Sequence, residues 1–392
     1  MESNFFTFRD PSPPTAADGP LAGTSVAIQP NVSVHHWPTD AASRALENYV
    51  AIEDATLVVR LRQAGASLSG RTRMSELGFG VNGDSDAAAV TRGLVDLLIA
   101  TDTTGEARAA AAAAGCFGYK PSYGIVSRYG LIGLVPSMEC PAILAASLPA
   151  VSAAAGAIAG PDPRDPSMDA SGAERAAAGF QKPPAAADHP QTAAVIQECV
   201  TALNPTEHKD FEQALSRIRA AGIRIETIRI KDFPLAPKVH NVIGSVEASS
   251  SAGKFDGVRY GHRTSAAVKN WNDMYIKSRG EAFGPLVKAY LFQGGYFQYR
   301  NYDAFVDACR IRARLAAAVE KAVATHDLLL LPVCNGTPPT VGERKTVADL
   351  YDGFAFTLLA NLTGHPALTI PAGSRTDRGP FALQLIGLRC GD

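Results

Sequence analysis

The stretch that decides the fold runs from residue 55 to residue 168. Within it, Ala66–Leu68 and Val95–Thr101 have the pattern of short buried strands, and Ala87–Leu94 has the pattern of a helix. This alternation predicts an α/β fold. Between and around these elements lie four distinctive segments: ATLVVRLRQAGASLSGRTRMSELGFG (55–80), ATDTTGEAR (100–108), GCFGYKPSYGIVSRYGLIGLVPS (115–137) and AGPDPRDPSM (159–168).

The same alternation continues outward in both directions. Residues 40–65 have helical spacing, residues 160–190 are rich in turn residues, and residues 1–20 read as an irregular lead-in. Because strands and helices interleave on both sides of residue 190, we predict a single domain over residues 21–392. Its further predicted elements are strands at Thr24–Ile28, Thr192–Ile196, Ile223–Ile230, Leu328–Val333, Ala367–Pro371 and Phe381–Gly387, and a long helix at Tyr302–Ala324.

Composition excludes several classes of protein. The chain has 392 residues, 46% of them hydrophobic, and a formal charge of −1, so neither nucleic acid nor an anionic membrane is an expected partner. No apolar run reaches the roughly 18 residues of a membrane span. Six scattered cysteines without a CxxC pair favour a reducing compartment. With no visible targeting peptide, we expect the cytoplasm or the mitochondrial matrix.

The four segments resemble the amidase-signature family, and within it the A subunits of glutamyl-tRNA(Gln) amidotransferases. The resemblance implies a large, mixed, mainly parallel twisted sheet with helices on both faces. It extends over most of the chain, and both ends look short against the family. It resumes in SVEASSSAGKFDGVRYGHR (245–263), KSRGEAFG (277–284), LLANLTGHPALTIPAG (358–373) and LQLIGL (383–388).

Three catalytic positions of the family are changed. The family uses a serine nucleophile, a second serine as relay and a lysine as base, because a hydroxyl needs an activating base at neutral pH. Where the family has AIKDN this chain has AIQPN, which places Gln29 at the lysine position. The Gly/Ser loop that normally holds the relay serine contains Asn82, and DTTGEAR places Glu106 at the position of the nucleophile. The resemblance therefore implies an inactive triad.

The loop before Glu106 corresponds to the family's oxyanion hole. Its residues here are Thr103, Thr104 and Gly105, and each backbone donor in such a hole contributes roughly 3 kcal/mol to the transition state. A carboxylate next to these donors would oppose the developing oxyanion. We expect a vestigial loop, with Arg108 as the ion-pair partner of Glu106.

Substrate recognition is altered as well. Glutamine-using members of the family carry a Tyr, an Arg and an Asp at positions that match His240, Tyr290 and Phe354 of this chain. None of the three is retained. Together with Asp102 and Arg108, these residues should line a vestigial substrate pocket.

Two other patterns carry less weight. Residues 78–83 match GxGxxG, but the residues before them do not read as a buried strand, so the match does not indicate a dinucleotide site. Asp84, Asp86, Asp102 and Glu106 could be imagined as a carboxylate metal site, but solvated loop residues explain them better. We expect neither a cofactor nor a metal.

The sequence thus predicts a catalytically inactive amidase-fold protein that serves as a structural component of a larger complex and has protein partners. One alternative is a diverged amidase in which Glu106 acts as an acid, base or nucleophile. A second alternative is a ligand-sensing relative that binds a small molecule in the vestigial pocket. The surroundings of Glu106 discriminate between them, since an open pocket with an unpaired, raised-pKa carboxylate favours the enzyme.

Overall fold

The computed structural model of the chain describes residues 5–11, 18–80, 87–182, 189–336, 346–375 and 379–392. Eleven strands in these residues form one sheet, in the order β1-β3-β2-β4-β6-β5-β10-β11-β9-β7-β8. They are β1 (Phe6–Arg9), β2 (Ser25–Ile28), β3 (Ser67–Thr72), β4 (Leu97–Asp102), β5 (Phe117–Lys120), β6 (Cys140–Ala145), β7 (Thr192–Ile196), β8 (Arg224–Ile228), β9 (Leu328–Pro332), β10 (Ala367–Arg375) and β11 (Gly379–Ile386).

Thirteen α-helices lie in the described residues. They are α1 (Thr56–Gln63), α2 (Ala87–Thr91), α3 (Glu106–Ala114), α4 (Leu148–Ile158), α5 (Ala170–Phe180), α6 (Gln197–Ala202), α7 (Pro205–Ala220), α8 (Ala236–Ser251), α9 (Trp271–Ala282), α10 (Pro285–Tyr299), α11 (Tyr302–Thr325), α12 (Val347–Gly353) and α13 (Leu358–Thr363).

The sheet is mixed, as predicted. Parallel pairs occur on its two flanks, where β2 pairs with β3 and β4, and β7 pairs with β8 and β9. The centre is antiparallel from β4 through β6, β5, β10 and β11 to β9. Within the described residues the antiparallel pairs therefore outnumber the parallel ones, whereas we expected mainly parallel pairing. The ratio of antiparallel to parallel pairs depends on strand order and direction, which apolar patterns in the sequence do not give.

Helices cover both faces of the sheet. Along β4, Leu97 and Ile99 pack in a core cluster with α1, α4 and α5, while Leu98 and Ala100 pack in another cluster with α2 and α3. Successive residues of a strand point to opposite faces, so these two helix groups lie on opposite sides. The largest cluster includes α8, α10 and α11.

Three local expectations were wrong. The lead-in contains β1, which pairs antiparallel with β3, because its alternating phenylalanines give Phe8 a contact with Trp37 at 5.1 Å between ring centroids. Residues 40–65 are helical only in α1 and a short 3₁₀ turn, since Ala41 and Ala42 have positive φ. The turn-rich segment 160–190 contains α5, whose N-cap Asp169 sequence reasoning missed.

Candidate active site

The candidate site begins where β4 meets α3. All six residues of β4 are buried, Asp102 ends the strand, and residues 103–105 form a tight turn into the helix. Gly105 has φ +102, and a Cβ at this position would collide with the side chain of Thr357. Only glycine satisfies both conditions, so the turn between strand and helix is built around it.

The carboxylate of Glu106 fills the loop that precedes it. The Thr103 N–H donates to Oε1 and Oε2 of Glu106 at 2.9 Å each. The Thr104 N–H donates to Oε2 at 2.7 Å, and the Thr104 hydroxyl donates to the same oxygen at 3.0 Å. The backbone donors that the resemblance assigns to an oxyanion hole are therefore engaged by this chain's own side chain.

Two opposing effects set the charge of Glu106. Burial, followed by the neighbouring charge of Asp102, raises the pKa of Glu106 to about 7, although the hydrogen bonds from the loop favour the ionised form. As the first residue of α3, the carboxylate also faces the positive end of the helix dipole. Glu106 therefore titrates near neutral pH.

Arg108 does not pair with Glu106, so that expectation was wrong. Its guanidinium binds Asp102 in a bidentate pair, with Nη2 at 2.8 Å from Oδ1 and Nε at 3.0 Å from Oδ2. Both side chains are completely buried. Two residues along an α-helix differ by about 200° around its axis, so Arg108 points away from the loop that Glu106 reaches.

Further polar groups complete the surroundings of Arg108. It donates to the Thr357 carbonyl at 3.0 Å, to Asn361 Oδ1 at 2.5 Å and to the side-chain oxygen of Gln384. Burial alone would raise the pKa of Asp102, but Arg108 and Asn361 hold it below its ordinary value. Sequence reasoning missed Asn361 and Gln384, although an amide within the apolar run LLANL was a usable signal.

His240 lies against the other side of the loop. Its Nε2 is 2.9 Å from the Thr103 carbonyl, which can only accept, so Nε2 carries the proton. Nδ1 then accepts from the Tyr351 hydroxyl at 2.9 Å, and Tyr351 accepts in turn from Tyr290 at 2.8 Å. Burial lowers the pKa of His240 to about 4, so the imidazole is neutral at physiological pH. Tyr351 was not predicted.

Side chains occupy the space where a substrate pocket was expected. His240, Tyr290 and Phe354 are each 0% exposed, and the ring of Tyr290 stacks on Phe79 with centroids 3.9 Å apart. The Phe354 carbonyl accepts from the Thr357 hydroxyl at 3.0 Å. The structure brings the predicted pocket residues together, but as a packed, hydrogen-bonded interior.

Gln29, which the motif AIQPN suggested as the counterpart of the family's lysine, makes a structural contact. Its Oε1 accepts from the Thr101 N–H at 3.0 Å, beside β4. Its carbonyl accepts from Arg71 at 3.0 Å, and this buried guanidinium also binds Val32 and Thr39. Gln29 is thus fixed next to the site but offers no group that accepts a proton.

Asn82, together with Asp84 and Asp86, lies outside the described residues. A buried lysine, Lys120, does occupy the region below Asp102, but its Nζ donates to the Pro121 carbonyl at 2.7 Å and lies 3.9 Å from Cys140 Sγ. Burial lowers the pKa of Lys120. Within the described parts of the chain, Lys120 has no recorded contact with a serine hydroxyl that it could activate.

No group of three or more His, Cys, Asp or Glu side chains in the described ranges is arranged to hold a metal ion. The same ranges contain no helix with the length and apolar character needed to cross a bilayer.

Comparison with known proteins agrees with this architecture. The family model described as Amidase matches residues 10–87 and 85–392, which is nearly the whole chain. The chain belongs to the amidase family. This amidase-family chain is 33% identical over 395 residues to the A subunit of glutamyl-tRNA(Gln) amidotransferase from Symbiobacterium thermophilum, covering 94% of this chain and 80% of the relative.

Two further similarities support the assignment. The corresponding A subunit from Halobacterium salinarum is 32% identical over 403 residues, covering 96% of this amidase-family chain and 94% of the relative. The crystal structure of the glutamyl-tRNA(Gln) amidotransferase A subunit from Thermotoga maritima superimposes with a TM-score of 0.78 at 24% identity, covering 100% of this chain and 84% of that one. At that identity the structure supports the fold alone.

Proposed function

We propose that this protein is a catalytically inactive amidase-family member that serves as a structural component of a larger assembly. One observation carries the proposal: the Glu106 carboxylate accepts hydrogen bonds from the Thr103 and Thr104 N–H groups. An acyl-transfer intermediate needs these donors free for its own oxyanion. Here they are bound by a group that is tethered to the same turn.

Two further features support inactivity. Gln29 replaces a proton-accepting lysine and is engaged with Thr101, so no general base lies at this position. The His240, Tyr351 and Tyr290 chain is buried and internally satisfied. A substrate amide would have to displace this packed interior, and breaking such a buried polar network costs several kcal/mol.

The proposal of a structural role rests on the intact scaffold. The eleven-stranded sheet and its helices are present, while the resemblance places changes at both the catalytic and the substrate-recognition positions. The relatives are named as subunits, which makes protein partners the natural extension for this chain. All six cysteines are free, which supports a reducing compartment such as the cytoplasm or the mitochondrial matrix.

Turnover assays test the inactivity. The purified chain, Glu106→Gln and Glu106→Ser are incubated with glutamine, asparagine and an aromatic amide, and released ammonia or amine is measured. We expect no turnover above the buffer blank in any sample, because Glu106→Ser restores a hydroxyl but no base. Turnover by the unmodified chain that Glu106→Gln abolishes would refute the proposal.

The structural role is tested separately. Tagged protein is isolated from its native source at natural abundance, and its mass is measured by light scattering after size exclusion. A stoichiometric complex with one or more defined partners is expected. Isolation as a bare monomer would contradict the structural role, whatever the turnover assay shows.

One observation favours a second candidate function, a diverged hydrolase that uses Glu106. Burial raises the pKa of this carboxylate to about 7, the range in which a general acid or base works best, and Arg108 does not neutralise it. Such an enzyme would show a pH-rate profile with a midpoint near 7 that Glu106→Gln removes. A ligand-sensing role has no comparable support, since the expected pocket is filled.

A further inference from the structure

The segment of residues 251–300, which contains α9 and α10, has an unusual composition. Residues 251–300 contain ten aromatic side chains, a fifth of the segment, against 7% in the whole chain. They also contain eight Lys and Arg residues against three Asp and Glu, whereas the whole chain has a formal charge of −1. The segment is therefore locally basic and rich in aromatic residues, which the net charge conceals.

A groove of about 630 Å³ runs between the two helices. Several of its apolar side chains are turned to solvent: Phe292 is 79% exposed, Ile276 67% and Tyr296 54%. Contiguous exposed apolar side chains on a folded protein mark interaction sites. The lining residues are Ser249, Tyr275, Ile276, Arg279, Gly280, Phe283, Lys288, Leu291, Phe292, Gly295, Tyr296 and Arg300.

The charges of the groove have one sign. Arg279, Lys288 and Arg300 line it, and none of its lining residues is acidic. Arg279 is held in place by the Ala252 carbonyl at 2.5 Å, and its guanidinium lies 4.9 Å from the centroid of the Tyr275 ring. A bound partner would thus meet apolar surface along the groove and positive charge around it.

Two glycines keep the groove open without serving the chain's own packing. A Cβ on Gly280 would meet no atom within 4 Å, and one on Gly295 would meet only Ser249 Oγ at 3.8 Å. Glycine inside a helix costs about 1 kcal/mol relative to alanine. The neighbouring Gly294 is different, because a Cβ there would collide with the Ser245 carbonyl. The space above Gly280 and Gly295 is therefore available to something outside the chain.

We propose that this groove binds an acidic amphipathic helix of a protein partner. Such a helix would place aliphatic residues at positions i, i+3, i+4 and i+7 against Ile276, Leu291 and Phe292, and its flanking Asp and Glu side chains against the cations. The inference rests on the proposed structural role, which requires a docking surface. Single-stranded RNA, whose bases could stack on the exposed aromatic rings, is the competing occupant that the test must exclude.

A model peptide tests the proposal on the full chain. The probe is a fluorescein-labelled 18-residue helix with Leu at the i, i+3, i+4 and i+7 positions and Glu on its other face, measured by anisotropy. Binding that weakens with salt is expected, together with at least tenfold weaker binding to Gly280→Leu and to Phe292→Ser. The matched control is Gly179→Leu, at the equivalent end of α5, where a Cβ would meet only the Asp392 carbonyl oxygen at 3.8 Å. It should bind like the unmodified chain.

Several results would overturn the proposal. Equal binding of a scrambled peptide of the same composition would do so, as would stronger binding of a version with Lys in place of Glu. Displacement of the peptide by a single-stranded oligonucleotide would point to RNA instead. Concentration-dependent dimers that Gly280→Leu abolishes would point to a second copy of the chain. Unchanged binding by Gly280→Leu would also exclude the groove. Amide turnover would refute the inactive role yet leave peptide binding intact, so the two proposals fail separately.

Discussion

Replacing His240 by glutamine should change how stability depends on pH. His240 is completely buried and neutral, with Nε2–H bound to the Thr103 carbonyl and Nδ1 bound to the Tyr351 hydroxyl. Protonation would place a charge in the interior and turn the acceptor Nδ1 into a donor facing Tyr351. The glutamine amide N–H can still reach the Thr103 carbonyl, but it cannot take up a proton.

The magnitude follows from the shift in pKa. Burial lowers the pKa of His240 from 6.5 to about 4, which is roughly 2.5 pH units and corresponds to about 3 kcal/mol. Below pH 6.5 the unfolded chain binds a proton at this position and the folded chain does not. The free energy of unfolding therefore falls by about 3 kcal/mol as the pH is lowered from 6.5 to 4. Above pH 6.5 the imidazole is neutral in both states, and the full stability is present.

Glu106 acts in the opposite direction over an overlapping range. Burial raises its pKa from 4.5 to about 7, so the folded chain retains a proton that the unfolded chain has released. Its contribution to stability is greatest below pH 4.5 and is lost as the pH rises to 7. In the unmodified chain the two effects largely cancel, which is why the single variants are needed to reveal either.

Urea unfolding followed by circular dichroism, at half-unit steps from pH 4 to pH 7.5, measures both effects. On acidification from pH 6.5 to pH 4, the free energy of unfolding of His240→Gln should rise by about 3 kcal/mol relative to that of the unmodified chain. Glu106→Gln should show the reverse trend between pH 7 and pH 4.5. A stability difference for His240→Gln that stays constant across this range would refute the assigned neutral, buried imidazole.

Two further predictions concern the framework of the site. Asp102→Asn should lower the free energy of unfolding by about 3–5 kcal/mol in urea titrations, because it leaves Arg108 buried without its carboxylate; a loss under 1 kcal/mol would contradict the role of the pair. Gly105→Ala should destabilise the chain by more than about 2 kcal/mol in the same assay, since it combines positive φ with a collision against Thr357. Gly23→Ala is also at positive φ but in open space, so it should lower the free energy of unfolding by about half as much or less.

The sequence was sufficient for most of the fold. Strands such as Thr192–Ile196 and Leu328–Pro332 were predicted within a residue or so, because a compact apolar run between turn residues has few other solutions. The long helix predicted at Tyr302–Ala324 is α11, which ends one residue later at Thr325. The motifs around Gln29 and Glu106 were also distinctive enough to predict the family from local sequence.

Side-chain contacts between residues far apart in the chain could not be predicted from the sequence. Arg108 was assigned to Glu106 because they are neighbours in sequence, yet its partners are Asp102, Asn361 and Gln384, two of which lie about 250 residues or more away. The same limit hid Tyr351, whose position against His240 depends on how α12 docks on α8. Contacts between distant elements depend on topology, which one sequence does not encode in any local pattern.

The geometry of Glu106 also explains why a carboxylate is tolerated at a buried position where a negative charge should be unfavourable. An ionised group brought next to buried Asp102 would normally be expelled to solvent, because like charges and desolvation both disfavour it. Here two backbone N–H groups, one hydroxyl and the start of α3 converge on it within 3.0 Å. The resemblance assigns these donors to a transient negative oxygen, and the ionised form of Glu106 satisfies the same electrostatic requirement. The proposed inactivity and the stability of the replacement then have one cause, because the side chain binds where the proposal places the transition state.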